Sequence, residues 1–210
     1  MKALILGSTG LVGSHVLQKT LADDAFQEVT VWVRRNPGFT HPKLKVVVTG
    51  FQDLPDAEAD VVFSCLGTTR KKTPDHNLYH FIEVTLPVST AGLLQKKGLQ
   101  QFHYISSIGT TRNSRGAYLK NKWAAESGLE ALGIPSLYLY RPSLIFGERK
   151  ETRFLEDISN SLFSLIHPFL SKKYRRIAAE TIAEAMIRNA KSALPGTHIL
   201  ESDRIREAGS

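Results

Sequence analysis

The sequence predicts a doubly wound α/β fold: a parallel sheet with helices on both faces, three layers deep, ending in a small C-terminal cap. Three observations carry it. Short apolar, β-branched runs alternate along the chain with segments of helical periodicity. The runs are almost continuously apolar, as strands buried on both faces must be. The first run stops at Gly7-Ser8-Thr9-Gly10-Leu11-Val12-Gly13, a glycine turn that opens directly into a helix.

Each element has its own warrant. Lys2 to Leu6 is the first strand, and Leu11, Val16, Leu17 and Leu21 recur at helical spacing after it. Val29 to Val33 is β-branched and aromatic and ends at Arg34-Arg35-Asn36-Pro37-Gly38, a stop and turn signal. Leu44 to Val48 is a third strand and Asp60 to Leu66 a fourth. A helix is expected from Pro74 to about Lys97, with Pro87 as a possible kink and Gly98 as its C-cap. Phe102 to Ser106 is a fifth strand, Ala117 to Leu132 a helix stopped by Gly133, and Leu137 to Tyr140 a sixth strand running into Arg141-Pro142. Beyond a polar loop at 147–153, residues 154–170 form an apolar helical stretch and Lys172 to Arg176 a basic cluster. Thr181 to Ala193 is a further helix, and Thr197 to Leu200 a last strand. No repeat, low-complexity tract or linker divides the chain, so residues 1–210 read as one domain whose cap spans about 143–210.

Composition narrows the classes of function. A hydrophobic fraction of 42% and a charged fraction of 22% describe an ordinary folded protein. A single cysteine, Cys65, forms no internal disulfide, and the seven histidines show no paired ligand spacing, so no metal site is expected. The apolar start is only four residues long before Gly7, too short for a secretory core, and the expected location is cytoplasmic. A formal charge of +7 admits nucleic acid, an anionic surface or a phosphate-bearing ligand.

Ligands of such sheets bind at the carboxyl ends of the strands near the switch in strand order. Gly7, Gly10 and Gly13 let backbone N–H groups and the positive helix terminus approach a pyrophosphate. The second strand ends at Arg34-Arg35, where a site for unphosphorylated dinucleotide would carry an acid for the ribose hydroxyl. Paired guanidiniums suit a 2′-phosphate, which favours NADP(H). Ser106-Ser107 closes the fifth strand, and Tyr118 and Lys122 follow at i and i+4 on one helix face. An ammonium beside a phenol favours the phenolate, and Ser107 is placed to donate to an oxygen gaining negative charge. Cys65 reads as a packing thiol, Trp32 and Trp123 as structural aromatics, His15 as a surface or half-buried helix residue, and the 172–176 cluster as solvated surface.

These residues resemble the short-chain dehydrogenase/reductase superfamily in its extended or atypical branch, hence a Rossmann-like fold. Cys65-Leu66-Gly67-Thr68-Thr69-Arg70, Ile105-Ser106-Ser107-x-Gly109, Tyr118-x-x-x-Lys122 and Arg141-Pro142 followed by Gly147-x-Arg149-x-Glu151-x-Arg153 are similar to the Tat-interacting-protein-like family of NADPH-binding proteins. The resemblance implies that Gly7, Ser8, Thr9, Gly10, Leu11, Val12 and Gly13 hold the pyrophosphate and Arg34 or Arg35 the adenosine phosphate. It further implies that Leu66 and Gly67 pass under the adenine ribose, Lys122 holds the nicotinamide ribose, Ile145 and Arg153 complete the pocket, and Tyr118 is the acid/base. One departure stands out: Glu83-Val84-Thr85 occupies the stretch where many members carry a relay asparagine.

The expected function is NADP(H)-dependent hydride transfer to or from a small carbonyl or alcohol substrate through Ser107, Tyr118 and Lys122. The alternative is an NADPH-responsive regulator that binds a protein partner, as eukaryotic members of the family are described. Nucleic-acid binding through residues 172–176 is a weaker third reading, no membrane association is expected, and a homodimer through residues 75–97 and 117–132 is open. Arg34, Arg35, Lys122 and Arg153 around a phosphorylated dinucleotide would offset much of the +7 charge.

Overall fold

The computed structural model describes residues 1–147 and 171–209. Seven parallel strands form one sheet: β1 (Lys2–Leu6), β2 (Glu28–Val33), β3 (Leu44–Val48), β4 (Val61–Ser64), β5 (Gln101–Ile105), β6 (Ser136–Arg141) and β9 (Gly196–Glu201), in the order β3-β2-β1-β4-β5-β6-β9. A two-stranded parallel pair, β7 (Ile145–Phe146) and β8 (Ile177–Ala178), stands apart. Chain order reverses between β1 and β4, which fixes the switch point.

Strand alternation sorts the core into two halves. Ala3 and Ile5 of β1, with Val29, Val31 and Phe63, face helices α1 (Leu11–Ala22) and α5 (Ala179–Ser192), which bury Val12, Val16, Ile182 and Met186. Leu4 and Leu6, with Val62, Phe102 and Tyr104, face α3 (Leu86–Gln95) and α4 (Ala117–Ala131), which bury Leu94, Ala125 and Leu129. One row of the sheet register carries rings: Phe63 of β4, His103 of β5, Tyr138 of β6 and His198 of β9 lie side by side. His103 and Tyr138 stack at 4.8 Å between centroids, and Tyr138 and His198 at 4.6 Å.

The doubly wound reading holds, and the differences are local. The single helix expected over 74–97 is built as α2 (His76–His80), a π turn (Phe81–Thr85) and α3. Asp75 caps α2 by accepting from the Leu78 N–H at 2.8 Å. Pro87 explains the π turn: it lacks the N–H that would reach the Glu83 carbonyl four residues back, and the ladder slips so that Leu86 N–H reaches Phe81 O. The described part of 143–210 adds to the sheet through β9 and covers α1 with α5, so it extends the layers. The short helix α6 (Ser202–Gly209), absent from the sequence reading, follows β9. The 154–170 stretch lies outside the described residues. Among the described residues no helix is long and apolar enough to cross a membrane.

Candidate functional site

The glycine turn sits at the carboxyl end of β1, against the loop that follows β4. Gly7 has φ +77°, and a Cβ there would lie 2.7 Å from the Cys65 carbonyl oxygen. A Cβ on Gly13 would lie 2.1 Å from Gly7 O, and one on Gly10 3.1 Å from the same atom. All three positions are dictated by backbone crowding, which presses the start of α1 against the strand end. Gly10 caps α1 without a side-chain hydrogen bond, and the first turn holds no acid. The positive end of a twelve-residue helix is therefore left open to an anion.

A cleft of about 900 Å³ opens from this turn across the switch point. Gly7, Ser8, Thr9 and Gly10 form its floor, Cys65, Leu66, Gly67 and Thr68 one wall, and Trp32 to Arg35 with Gly50 and Phe51 the far end. Arg34 and Arg35 are exposed there. Phe81, Ile82 and Leu86 supply an apolar side suited to a flat base. Leu11, Val12, Gly13 and Ile145 are not among the lining residues; Val12 is buried in the core and Ile145, in β7, packs against the same face. Arg153 lies outside the described residues.

Cys65 is half-buried on the cleft wall, and desolvation pushes its thiol up to about 12, so it is a packing group at neutral pH. Trp32 is buried as expected, and its indole N–H has no partner among the described residues. Parts of the 172–176 cluster are engaged by the fold, although Tyr174 stays exposed. Lys173 pairs with Glu201 at 2.6 Å, the Arg176 guanidinium lies 5.8 Å from the Phe146 ring centroid, and Arg206 donates to the carbonyls of Arg175 and Arg176.

The Ser-Tyr-Lys residues occupy the ends of β5 and α4, beyond the lining of the cleft. Ser107 is half-buried and its hydroxyl donates to Ile108 O at 3.3 Å; the neighbouring Ser106 is buried against Thr110. Tyr118 is 44% exposed, so its phenol reaches solvent. Lys122 is only 3% exposed, with its Nζ 5.9 Å from the Tyr118 ring centroid. Three oxygens enclose the ammonium: Ile105 O at 2.9 Å, Tyr104 Oη at 3.3 Å and Glu83 Oε2 at 2.9 Å. Burial by itself penalises the charge, but the attraction of Tyr104, Glu83 and Tyr118 outweighs it and raises the Lys122 pKa above the ordinary lysine value.

Glu83 is the residue that sequence reasoning missed. It is 1% exposed, and its other carboxylate oxygen accepts from the Thr68 N–H at 2.7 Å, in the loop that forms one wall of the cleft. Its carbonyl, deprived of a helical donor by Pro87, accepts from Tyr104 Oη at 3.1 Å. Tyr104, Glu83 and Lys122 thus close a ring between β5, the π turn and α4. The available signal was an acid inside the apolar run Phe81-Ile82-Glu83-Val84, four residues before a proline. A second buried pair lies one turn along α4, where Glu126 takes both Arg141 Nε, at 2.9 Å, and Nη2, at 2.6 Å; this is the structural work of the Arg141-Pro142 segment.

A glycine-floored cleft at the switch point of a doubly wound sheet defines a dinucleotide-binding protein, and the comparisons give the family. The chain belongs to the NAD(P)H-binding family, whose model matches residues 7–192. It is 29% identical over 214 residues to Protein HTATIP2 of Rattus norvegicus, covering 98% of this chain and 88% of that protein. It is also 29% identical over 164 residues to Protein FMP52, mitochondrial, of Candida albicans, covering 74% and 72%. Among solved structures it resembles the Bordetella bronchiseptica enzyme WbmH in complex with NAD+, at TM-score 0.70 and 18% identity over 98% of this chain and 78% of that one. The resemblance to Tat-interacting-protein-like proteins holds. The cytoplasmic expectation is overturned by the mitochondrial relatives. Its premise, a short apolar start, argues against a secretory core and says nothing about mitochondrial import.

Proposed function

We propose that this protein is an NADP(H)-dependent oxidoreductase acting on a small carbonyl or alcohol substrate. The observation that carries the reading is the placement of Arg34 and Arg35 at the far end of a glycine-floored cleft, where an adenosine 2′-phosphate would meet two guanidiniums and no acid. The crowded glycines and the uncapped α1 terminus suit a pyrophosphate, and Phe81 and Ile82 suit an adenine. The bound nicotinamide would supply or accept a hydride at the substrate carbon. Tyr118, at the solvent-facing start of α4, gives or takes the proton at the substrate oxygen, and Ser107 donates to that oxygen while it carries negative charge. Lys122 holds the strand end beside them through Ile105 O.

Fluorescence titration with NADPH and NADH tests the cofactor assignment. Arg34→Ala/Arg35→Ala weakens NADPH by about tenfold or more while leaving NADH within about twofold. Equal losses for both cofactors would reject the 2′-phosphate site. NADPH consumption with a panel of aldehydes, ketones and quinones tests the reaction. Tight NADPH binding with no turnover, and no effect of Tyr118→Phe, would replace the enzyme by an NADPH-responsive partner-binding protein.

A further inference from the structure

We propose that Glu83 sets the proton state of Tyr118 by neutralising Lys122, and so keeps the phenol in the protonated form that gives a proton to a carbonyl oxygen. This deepens the oxidoreductase reading and rests on it. A lone ammonium behind a phenol pulls it toward the phenolate, the form needed to take a proton from an alcohol. Here the ammonium has a carboxylate at 2.9 Å, whereas the phenol ring centroid is 5.9 Å away. A buried ion pair of zero net charge projects only a dipole onto Tyr118, whose effect falls off faster with distance than that of a bare charge.

The arrangement is built into the backbone. Pro87 makes the π turn, the π turn brings Glu83 under α4, and Thr68 N–H and Tyr104 Oη fix Glu83 from two further elements. Other titratable and charged groups face the pair and its surroundings: Tyr104 from β5, Tyr79 from α2, Arg70 from the loop after β4, and Tyr118 from α4. His80 meets Asn121 at the α2–α4 contact. Arg70 lies over the Tyr79 ring at 5.6 Å and pairs with His76 at 2.7 Å, so its charge is directed at α2.

In the reaction this implies, a reduced nicotinamide, when bound, would supply a hydride with its electron pair to the carbonyl carbon as the C=O π bond opens, giving the alcohol and oxidised dinucleotide as products. Tyr118 gives its proton to the substrate oxygen. The phenolate, 44% exposed, recovers a proton from solvent. Glu83 is a positioning residue here, since it acts through Lys122.

The test needs neither substrate nor cofactor. The phenolate absorbance near 295 nm is titrated in the cofactor-free protein, and the Tyr118 contribution is isolated by subtracting Tyr118→Phe. Glu83→Gln leaves the Lys122 charge bare and moves the Tyr118 midpoint down by about one pH unit or more. Glu83→Gln/Lys122→Met removes the pair together and leaves the midpoint within about 0.3 unit of the parent. An unmoved midpoint in folded Glu83→Gln overturns the proposal, and so does a large upward shift in the double variant, which stands even where the single variant does not fold. Because the readout is spectroscopic, failure of the carbonyl panel would reject the enzyme reading without deciding the role of Glu83.

Discussion

His103 shows how a buried titratable side chain is held neutral. It is fully buried in the sheet, and desolvation pulls its pKa down to about 3. The partners agree on one tautomer. Asn189 Nδ2 donates to Tyr140 Oη at 3.0 Å, Tyr140 Oη donates to His103 Nδ1 at 3.0 Å, and His103 Nε2 donates to Gln101 Oε1 at 3.3 Å. Gln101 then donates to Ala190 O at 3.0 Å. In the unfolded chain the imidazole binds a proton near pH 6.5, whereas in the fold it does not until about pH 3. Between those values the unfolded state holds more protons, so stability falls as pH falls, by about 1.4 kcal/mol per unit. Urea unfolding at pH 7 and pH 4 checks this: His103→Gln is less stable at pH 7 but loses about 3 kcal/mol less than the parent on acidification. Its place in the apolar run Phe102–Ser106 already marked it as buried, but the hydrogen-bond chain that satisfies it comes from partners on β6 and α5 far along the chain.

Elements were legible where one local signal decided them. The strand at 29–33 is β-branched, the one at 44–48 apolar, and Gly13 ends the turn at the spacing a close helix–strand approach needs. That approach gives a graded prediction. Gly13→Ala places a methyl 2.1 Å from a backbone oxygen that cannot withdraw, whereas Gly98→Ala meets no atom within 4 Å and suffers only from its φ of +89°. Gly98→Ala costs about 1–2 kcal/mol in urea unfolding and keeps NAD(P)H binding. Gly13→Ala costs at least about twice as much and abolishes binding. Elements escaped notice where long-range packing decided them. β7 and β8 are two residues each and exist only through pairing across more than thirty positions. α6 has Ile205 as its buried apolar anchor in an otherwise polar run. The π turn follows from Pro87 together with a tyrosine on another strand, so a kink was visible in the sequence but its geometry was not.

At the scale of the molecule, the alternation of strands and helices sufficed for a parallel doubly wound sheet and pointed to the carboxyl ends of its strands, whereas the strand order that places the switch between β1 and β4 rests on long-range pairing. The charge surplus was harder to place. Arg34 and Arg35 line the cleft, but Lys122 is answered by Glu83, and Lys173 pairs with Glu201. Less of the +7 is therefore free to meet a dinucleotide than the sequence implied. The packing of α1 on α5 joins segments separated by some 160 positions, and β9 closes onto β6 across a gap of about sixty. A growing chain thus carries the Ile5, Val31 and Phe63 face covered by α1 alone until α5 has been made, and the slow step of folding should be the arrival of that late helix. A chain ending at residue 147 is expected to bind a hydrophobic dye and unfold without a sharp transition, whereas a separately supplied 171–210 segment added during refolding should quench the dye. On this account the order of synthesis delays full burial of the α1 side of the sheet until α5 has emerged.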